Sequence, residues 1–433
     1  MDAAPLASRR VALDLLIACL DKGQPLDDAL ARHQGFAGLD PRDRAFVRLL
    51  LATTLRRLGE IDEVLGALIE RPLEGANATG RQVLRLGAAQ LLFLGTPAHA
   101  AVDTSVRLIV DAGLPHLKGL TNAVLRRVAR EGVTLLGNRD PARLNTPQWL
   151  WQSWTDAYGE DATRAIAAAH LIEAPLDLTP RANAEFWAGR LEGELLPTGT
   201  IRRAAGGAIT ELPGFAEGAW WVQDAAAALP VRLLGDISGK RVADLCAAPG
   251  GKTLQLAAAG AEVTAVDISA RRMARVGENL ARAGLSAELV TADASKWTPD
   301  EKFDAILIDA PCSGTGTLRR HPDIAWLKDE EDVGRLTLTQ DRLLLHAVEL
   351  LKPEGTLVYA VCSLQEDEGP ARIDSLFARD KRLRRLPVQP AELPGLEGAI
   401  TPSGDVRTLP SMWPERGGLD GFYMARVTLP RPG

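Results

Sequence analysis

The sequence predicts an all-helical N-terminal region, a small connecting region of mixed α+β structure, and a doubly wound α/β sheet. Apolar residues recur at helical spacing from Ala7 to about Arg130. From about Lys240, short apolar stretches alternate with amphipathic helical stretches, which is typical of a mostly parallel sheet covered by helices. The 433 residues are enough for about two or three domains.

We place the predicted domains at residues 1–137, 138–218 and 219–433. In the first domain, Asp40 followed by Pro41 indicates a helix start, because Asp caps free backbone N–H groups and proline tolerates the first helical position. The second domain is interrupted by prolines and lacks a steady periodicity.

The third domain contains the predicted parallel sheet. Ligands bind at the carboxyl ends of the strands in such sheets, so the strand ends are the places to search for chemistry. We expect strands over Val242–Leu245, Val263–Val266, Ala287–Val290, Phe303–Ile308 and Thr356–Val361, and helices over Ala270–Ala283 and Val333–Leu351.

Composition excludes several classes of protein. A net charge of −6 argues against a uniformly basic nucleic-acid binder, although it permits a local basic groove. The four cysteines form no Cys-x-x-Cys pair, so we expect neither a metal site nor a disulfide framework. The longest uncharged stretch, residues 86–102, contains Gln90, Pro97 and His99, so we expect no membrane span and a cytoplasmic protein.

The first predicted strand runs into a glycine-containing loop, Cys246-Ala247-Ala248-Pro249-Gly250-Gly251-Lys252. Paired glycines let the backbone approach a ligand, and the following helix directs free N–H groups toward it. A phosphate-binding P-loop needs glycine where Cys246 stands, and no G-x-G-x-x-G is present. We therefore expect neither a nucleoside triphosphatase nor an oxidoreductase that binds a dinucleotide cofactor.

Carboxylates follow the next three strands, at Asp267, Asp293 and Asp309. They would repel a phosphate, whereas they suit a neutral or cationic adenosine ligand. S-adenosyl-L-methionine has a positive sulfonium and no phosphate, so we expect it as the cofactor.

Two cysteines, Cys312 and Cys362, come just past neighbouring predicted strand ends. A thiolate that adds to carbon 6 of cytosine makes carbon 5 nucleophilic enough to accept a methyl group, and a second group must then remove the carbon 5 proton. The spacing leaves open which thiol would attack.

The motifs around Cys246, Asp309-Ala310-Pro311-Cys312 and Val361-Cys362-Ser363 resemble those of RNA cytosine-5 methyltransferases. The N-terminal region is similar to the helical NusB domain, through residues 97–102 and 117–126. The resemblance implies an all-α NusB-like RNA-binding domain joined to a Rossmann-like class I methyltransferase domain.

The family resemblance implies a role for each matching residue. Cys362 would be the nucleophile and Cys312 would assist product release. DNA cytosine-5 enzymes use the cysteine of their Pro-Cys motif as the nucleophile, so Cys312 is the rival candidate for that role. Asp309 would lie between cofactor and base, and Val361 stands where the family commonly has threonine. The cofactor would contact Cys246, Ala247, Ala248, Pro249, Gly250, Gly251, Lys252, Asp267, Asp293 and Asp309.

The fusion of a NusB-like domain with an RNA methyltransferase domain implies that 16S rRNA is the partner and substrate. It implies no membrane partner and no DNA partner. A tRNA cytosine-5 methyltransferase and a catalytically idle NusB-like RNA-binding module are the alternatives. The sequence names neither the target cytosine nor the oligomeric state. Candidates for RNA contact are Arg319, Arg320, Lys328 and the cluster at residues 381–385.

Overall fold

The computed structural model describes residues 4–431, which group into two compact units. The helical unit comprises the described residues up to Ile172 together with Leu318–Lys328. The sheet unit comprises Glu173–Thr317 and the described residues from Asp329 onward.

Eleven helices form the first part of the helical unit, and apolar side chains from successive helices make its core. Cys19 is fully buried in this core, as expected of an apolar filler, and burial raises the pKa of its thiol to about 12. The helices are α1 (Ala4–Leu20), α2 (Leu26–Arg32), α3 (Gln34–Ala37), α4 (Pro41–Arg56), α5 (Leu58–Leu68), α6 (Ala78–Leu92), α7 (Ala98–Asp111), α8 (Lys118–Leu136), α9 (Pro141–Leu144), α10 (Gln148–Tyr158) and α11 (Glu160–His170).

The predicted start of α4 is confirmed. The Asp40 side chain accepts from the backbone N–H of Asp43 at 2.8 Å, and Pro41 occupies the first turn. Such a cap satisfies one of the N–H groups that a helix start leaves without a partner.

The predicted connecting region, residues 138–218, is split between the two units. Its residues up to Ile172 group with the helices, and those from Glu173 group with the sheets. Asn145, which follows α9, accepts from the Glu60 N–H at 3.1 Å and donates to the Glu60 carboxylate at 2.7 Å. The three-domain division at residues 137 and 218 stays a prediction.

The sheet unit contains a small antiparallel sheet with the strand order β2-β3-β1-β4. The strands are short, and apolar side chains such as Ala188 of α12 and Leu191, which follows the helix, pack against this sheet. The elements are β1 (Leu176–Pro180), α12 (Ala184–Arg190), β2 (Glu194–Leu195), β3 (Ile201–Arg203) and β4 (Trp220–Val222).

A second, larger sheet has the order β10-β12-β9-β8-β5-β6-β7, with β11 paired to β12. The pairs among β5 to β9 are parallel, whereas β10, β11 and β12 add antiparallel strands. The elements are α13 (Leu229–Arg232), β5 (Arg241–Leu245), α14 (Gly251–Ala258), β6 (Glu262–Asp267), α15 (Ala270–Ala283), β7 (Glu288–Thr291), β8 (Phe303–Asp309), α17 (Glu330–Leu350), β9 (Leu351–Val361), α18 (Pro370–Arg379), β10 (Arg384–Arg385), β11 (Val406–Thr408) and β12 (Phe422–Thr428). The short helix α16 (Ile324–Leu327), which comes between β8 and α17 in the chain, groups with the helical unit.

The predicted fold class is therefore confirmed: helices precede a doubly wound, mostly parallel sheet. All five predicted strands are present, and the predicted helix Ala270–Ala283 has the observed bounds. The helix predicted from Val333 begins earlier, at Glu330, because Asp329 and Asp332 form a reciprocal capping box.

Successive residues of the central strands face two different cores. On β8, Leu307 packs with one apolar cluster, and Ile306 packs with the other. This alternation explains why the strands read as continuous apolar runs, since both faces of the sheet are covered. No helix among residues 4–431 is long and apolar enough to cross a membrane.

A buried ion pair ties the small sheet to the chain near β12. Arg202 donates to both Asp177 carboxylate oxygens at 2.7 Å and to the Gly418 carbonyl at 2.6 Å. Asp177 also accepts from the Ala225 N–H at 3.0 Å. Because both side chains are almost completely buried, removing one partner leaves a buried charge uncompensated.

We expect Asp177→Asn to lower the free energy of unfolding by about 3–5 kcal/mol, because Arg202 keeps its charge and loses its counterion. Urea unfolding measures the change. Glu301→Gln is the matched control, since Glu301 pairs with Arg241 at an exposed site where the loss should be below about 1 kcal/mol. Equal, small effects of both substitutions would contradict this interpretation.

Candidate active site

The candidate site lies beside β5 of the large sheet. The chain adds β6 and β7 on one side of this strand and then crosses to add β8 on the other side. Strand β5 pairs with β6 on one side and with β8 on the other, all in parallel. The loops leaving β5 and β8 therefore diverge at the same edge, which is where open α/β sheets bind ligands.

The loop after β5 is tied to β6. The backbone N–H groups of Cys246 and Ala247 both donate to the Val266 carbonyl, at 2.8 and 3.0 Å. Cys246 has a φ of 66° and Gly250 a φ of 103°, both left-handed, and the Ala248–Pro249 bond is cis. A Cβ at Gly250 would lie 3.1 Å from Val276, so glycine suits this close approach to α15.

Cys246 is a neutral part of this loop. Burial first, then the charges of Asp309, Asp267 and Asp244, raise the pKa of its thiol to about 12. A thiol that does not ionise near neutral pH is a poor nucleophile. The geometry therefore agrees with a loop-forming role for Cys246.

Asp267 ends β6 with only 3% of its surface exposed. Its carboxylate accepts from the N–H of Ala248 at 3.2 Å and from the N–H of Ser269 at 2.9 Å, and Arg272 lies 3.5 Å away. The carboxylate is thus held beside the β5 loop, where each oxygen retains a further lone pair for a ligand hydroxyl.

Asp293 has a more local environment beyond β7. Hydrogen bonds from the hydroxyl and backbone N–H of Ser295, at 2.7 and 3.0 Å, lower the pKa of its carboxyl group. Lys296 lies 3.6 Å from the other oxygen. The cofactor role of Asp293 stays a prediction.

Lys252 and Asp309 are brought together although 57 positions separate them. The Lys252 Nζ donates to Asp309 Oδ2 at 2.6 Å and lies 5.4 Å from the centre of the Phe422 ring. The Lys252 side chain is nearly buried, whereas that of Asp309 is one-third exposed. Lys252 therefore orients the Asp309 carboxylate, whose predicted position between cofactor and base stays a prediction.

The two predicted catalytic cysteines meet at the ends of β8 and β9, with their Sγ atoms 3.4 Å apart. Both residues are partly accessible. The pKa of the Cys312 thiol is raised well above its ordinary range. The largest causes are the hydrogen bond with Cys362 and burial, and the charges of Cys362 and Glu368 add to them. The two thiols therefore share a hydrogen bond at this edge of the sheet.

Profiles of two families match the chain. The one described as 16S rRNA methyltransferase RsmB/F covers residues 231–428, and the one for the NusB family covers residues 6–130. Ribosomal RNA small subunit methyltransferase B of Erwinia tasmaniensis is 34% identical, over 97% of this chain and 98% of its own. The protein of the same name from Salmonella arizonae is 36% identical, over 90% and 95%.

The chain belongs to this methyltransferase family. The predicted fusion of a NusB-like domain with an RNA methyltransferase domain is confirmed, and the chain is an S-adenosyl-L-methionine-dependent rRNA methyltransferase. The crystal structure of PH0851 has the same fold, with a TM-score of 0.77 at 21% identity over 99% of both chains.

One predicted RNA contact is wrong. Arg319 is 1% exposed and groups with the helical unit, so its side chain is inaccessible to a phosphate backbone. The cluster at residues 381–385 is partly neutralised, because Arg382 pairs with Asp380 and Glu349 and Arg385 pairs with Asp405. A charge count along the chain cannot distinguish such paired side chains from free ones.

Asp244 lies beneath this site and was not predicted. It is completely buried in β5 and accepts from the Thr253 hydroxyl at 2.6 Å. Burial, with the charges of Asp309 and Asp267, raises the pKa of its carboxyl group to about 7 despite the Thr253 hydrogen bond. The folded methyltransferase therefore keeps a proton on Asp244 that the unfolded chain releases near pH 4.

The contribution of Asp244 to stability should consequently fall as pH rises between about 4 and 7, by at most about 1.4 kcal/mol per pH unit. Its stabilising contribution is complete below pH 4 and lost above pH 7. Asp244→Asn stays neutral and can still accept from Thr253, so we expect it to lack the pH dependence of stability that Asp244 gives the wild type between about pH 4 and 7.

Urea unfolding of the cofactor-free protein across this pH range measures the effect. Asp300→Asn, at an exposed position, is the control and should keep the wild-type dependence. Parallel pH profiles for wild type and Asp244→Asn would contradict a protonated Asp244 in the folded state.

Proposed function

We propose that the chain methylates carbon 5 of a cytosine in 16S rRNA through a covalent bond between Cys362 and carbon 6 of the base. The single observation that carries this proposal is the meeting of two partly accessible thiols, 3.4 Å apart, at neighbouring strand ends. The names of the related ribosomal RNA small subunit methyltransferases support rRNA as the substrate.

The acidic strand ends fit the methyl donor. Asp267, Asp293 and Asp309 supply negative charge for a cationic sulfonium, and Asp267 supplies acceptors for ribose hydroxyls. The loop from Cys246 to Lys252 would hold the adenosine and methionine parts. When bound, the cofactor supplies an electrophilic methyl group.

Cys362 would add to carbon 6 as a thiolate, which makes carbon 5 the nucleophile toward that methyl group. Asp309, oriented by Lys252, would face the polar edge of the base and help to stabilise the adduct. Lys252 has two further N–H donors for the base.

Release of the product requires a base to remove the proton that carbon 5 still carries. Cys312 is placed to accept this proton as a thiolate and so become a thiol, because its sulfur lies within hydrogen-bond distance of the Cys362 sulfur. As the carbon 5 proton leaves, the bond between carbon 6 and sulfur breaks and the Cys362 thiolate departs. Each thiol thus has a different task in one reaction.

RNA containing 5-fluorocytosine tests this assignment, since fluorine blocks the elimination and traps the adduct. We expect Cys362→Ala to form no adduct. Cys312→Ala should form it and accumulate a covalent complex even on unmodified RNA. Gel electrophoresis under denaturing conditions measures both results. If Cys312→Ala loses the adduct and Cys362→Ala keeps it, the assignment of the two thiols is wrong.

The substrate needs a separate experiment, in which 16S rRNA and total tRNA compete for labelled methyl groups. We expect label at carbon 5 of cytosine in 16S rRNA, with the nucleotide located by bisulfite sequencing. Preferential labelling of tRNA would contradict the substrate assignment. Cofactor binding without transfer to either RNA would favour an idle RNA-binding module.

A further inference from the structure

Glu368 is a buried carboxylate that the proposed reaction does not use. It lies in a helical turn, Glu366–Glu368, six residues beyond Cys362, and its side chain is inaccessible to solvent. Burying a charge is strongly unfavourable unless hydrogen bonds satisfy it. Its surroundings therefore indicate why an acidic residue stands there.

Four hydrogen bonds converge on this carboxylate. Oε1 accepts from the Ser313 N–H at 2.8 Å and from Gln340 Nε2 at 3.1 Å. Oε2 accepts from the hydroxyls of Ser313 and Ser363, each at 2.5 Å. A single side chain thus satisfies donors from two loops and from α17.

The two serines are the residues that directly follow Cys312 and Cys362. Thr315 adds a second connection between the loops, because its hydroxyl lies 3.3 Å from the Ser363 hydroxyl and accepts from the Leu364 N–H at 3.0 Å. The Gly316 N–H also donates to the Cys362 carbonyl at 3.0 Å. The backbone next to each thiol is therefore fixed relative to the other.

We propose that Glu368 is a positioning residue, which acts through Ser313 and Ser363 to set the relative placement of the two thiols. Its catalytic consequence rests on the proposed function, whereas its effect on the thiols does not. Proton transfer and nucleophilic attack depend steeply on geometry, so a displacement of about 1 Å can lower a rate about 100-fold.

The charge of Glu368 adds a second effect. It is one of the groups that raise the pKa of the Cys312 thiol, after the hydrogen bond with Cys362, burial and the charge of Cys362. The same carboxylate that aligns the loops therefore disfavours the Cys312 thiolate. Both effects should be lost together when the carboxylate is replaced by an amide.

Glu368→Gln tests the proposal, with Asp367→Asn as the matched control because Asp367 is the exposed neighbour on the same turn. Alkylation of each cysteine by iodoacetamide, followed across pH by peptide mass spectrometry, reports thiolate formation without RNA. We expect the alkylation midpoint of Cys312 to fall by about one pH unit in Glu368→Gln and to stay unchanged in Asp367→Asn.

With RNA, we expect Glu368→Gln to lower kcat for methyl transfer about 10- to 100-fold and to change KM for RNA less than about twofold. If Glu368→Gln has the same alkylation profiles and the same kcat as the wild type, the proposal is wrong. Failure of the proposed function can be distinguished from failure of the positioning role. If the proposed function is wrong, the wild-type protein forms no adduct with 5-fluorocytosine RNA, whereas the effect of Glu368→Gln on alkylation remains.

If Glu368→Gln does not fold, Ser363→Ala provides the second variant. It removes one hydroxyl donor and leaves the carboxylate bonded to Ser313 and Gln340. We expect circular dichroism to report a folded protein with kcat lowered about 10-fold. A folded Ser363→Ala with wild-type kcat would overturn the positioning role.

Discussion

The parallel pairing of β8 with β9 is the constraint on which the site depends. Asp309 is in register with Ala360, and the Ala310 N–H donates to the Ala360 carbonyl at 2.9 Å. Both strands therefore end at the same level, and the chain reaches Cys312 and Cys362 shortly afterwards. A shift of one residue would exchange the faces of a whole strand, so the apolar packing of both faces fixes the position of the thiols.

The electrostatics of the site follow from carboxylates at different depths. Asp267 and Asp309 lie at the carboxyl edge, where we propose that they face a cationic methyl donor, whereas Asp244 in β5 and Glu368 beyond β9 are completely buried. Lys252 supplies the compensating positive charge and orients Asp309. The formal net charge of −6 counts these acids together with the surface residues, so it is a poor guide to RNA binding.

The fold was largely predictable, because the strands are apolar runs bounded by loops and because helices such as α15 have a strong periodicity. The strand ends also placed Cys312, Cys362 and the acidic residues on one edge. Contacts between distant positions were not predictable: Lys252 and Asp309 are 57 residues apart, and nothing local marks Glu368 as buried. The grouping of residues 318–328 with the helical unit likewise depends on tertiary packing alone.

The central claim is that neighbouring strands present two thiols with different tasks. Tandem mass spectrometry of the wild-type protein trapped on 5-fluorocytosine RNA tests it most directly, since it identifies the cysteine bonded to the base without any substitution. We expect the nucleotide on the peptide containing Cys362 and an unmodified Cys312. A nucleotide on Cys312, with Cys362 unmodified, would contradict the proposed division of roles.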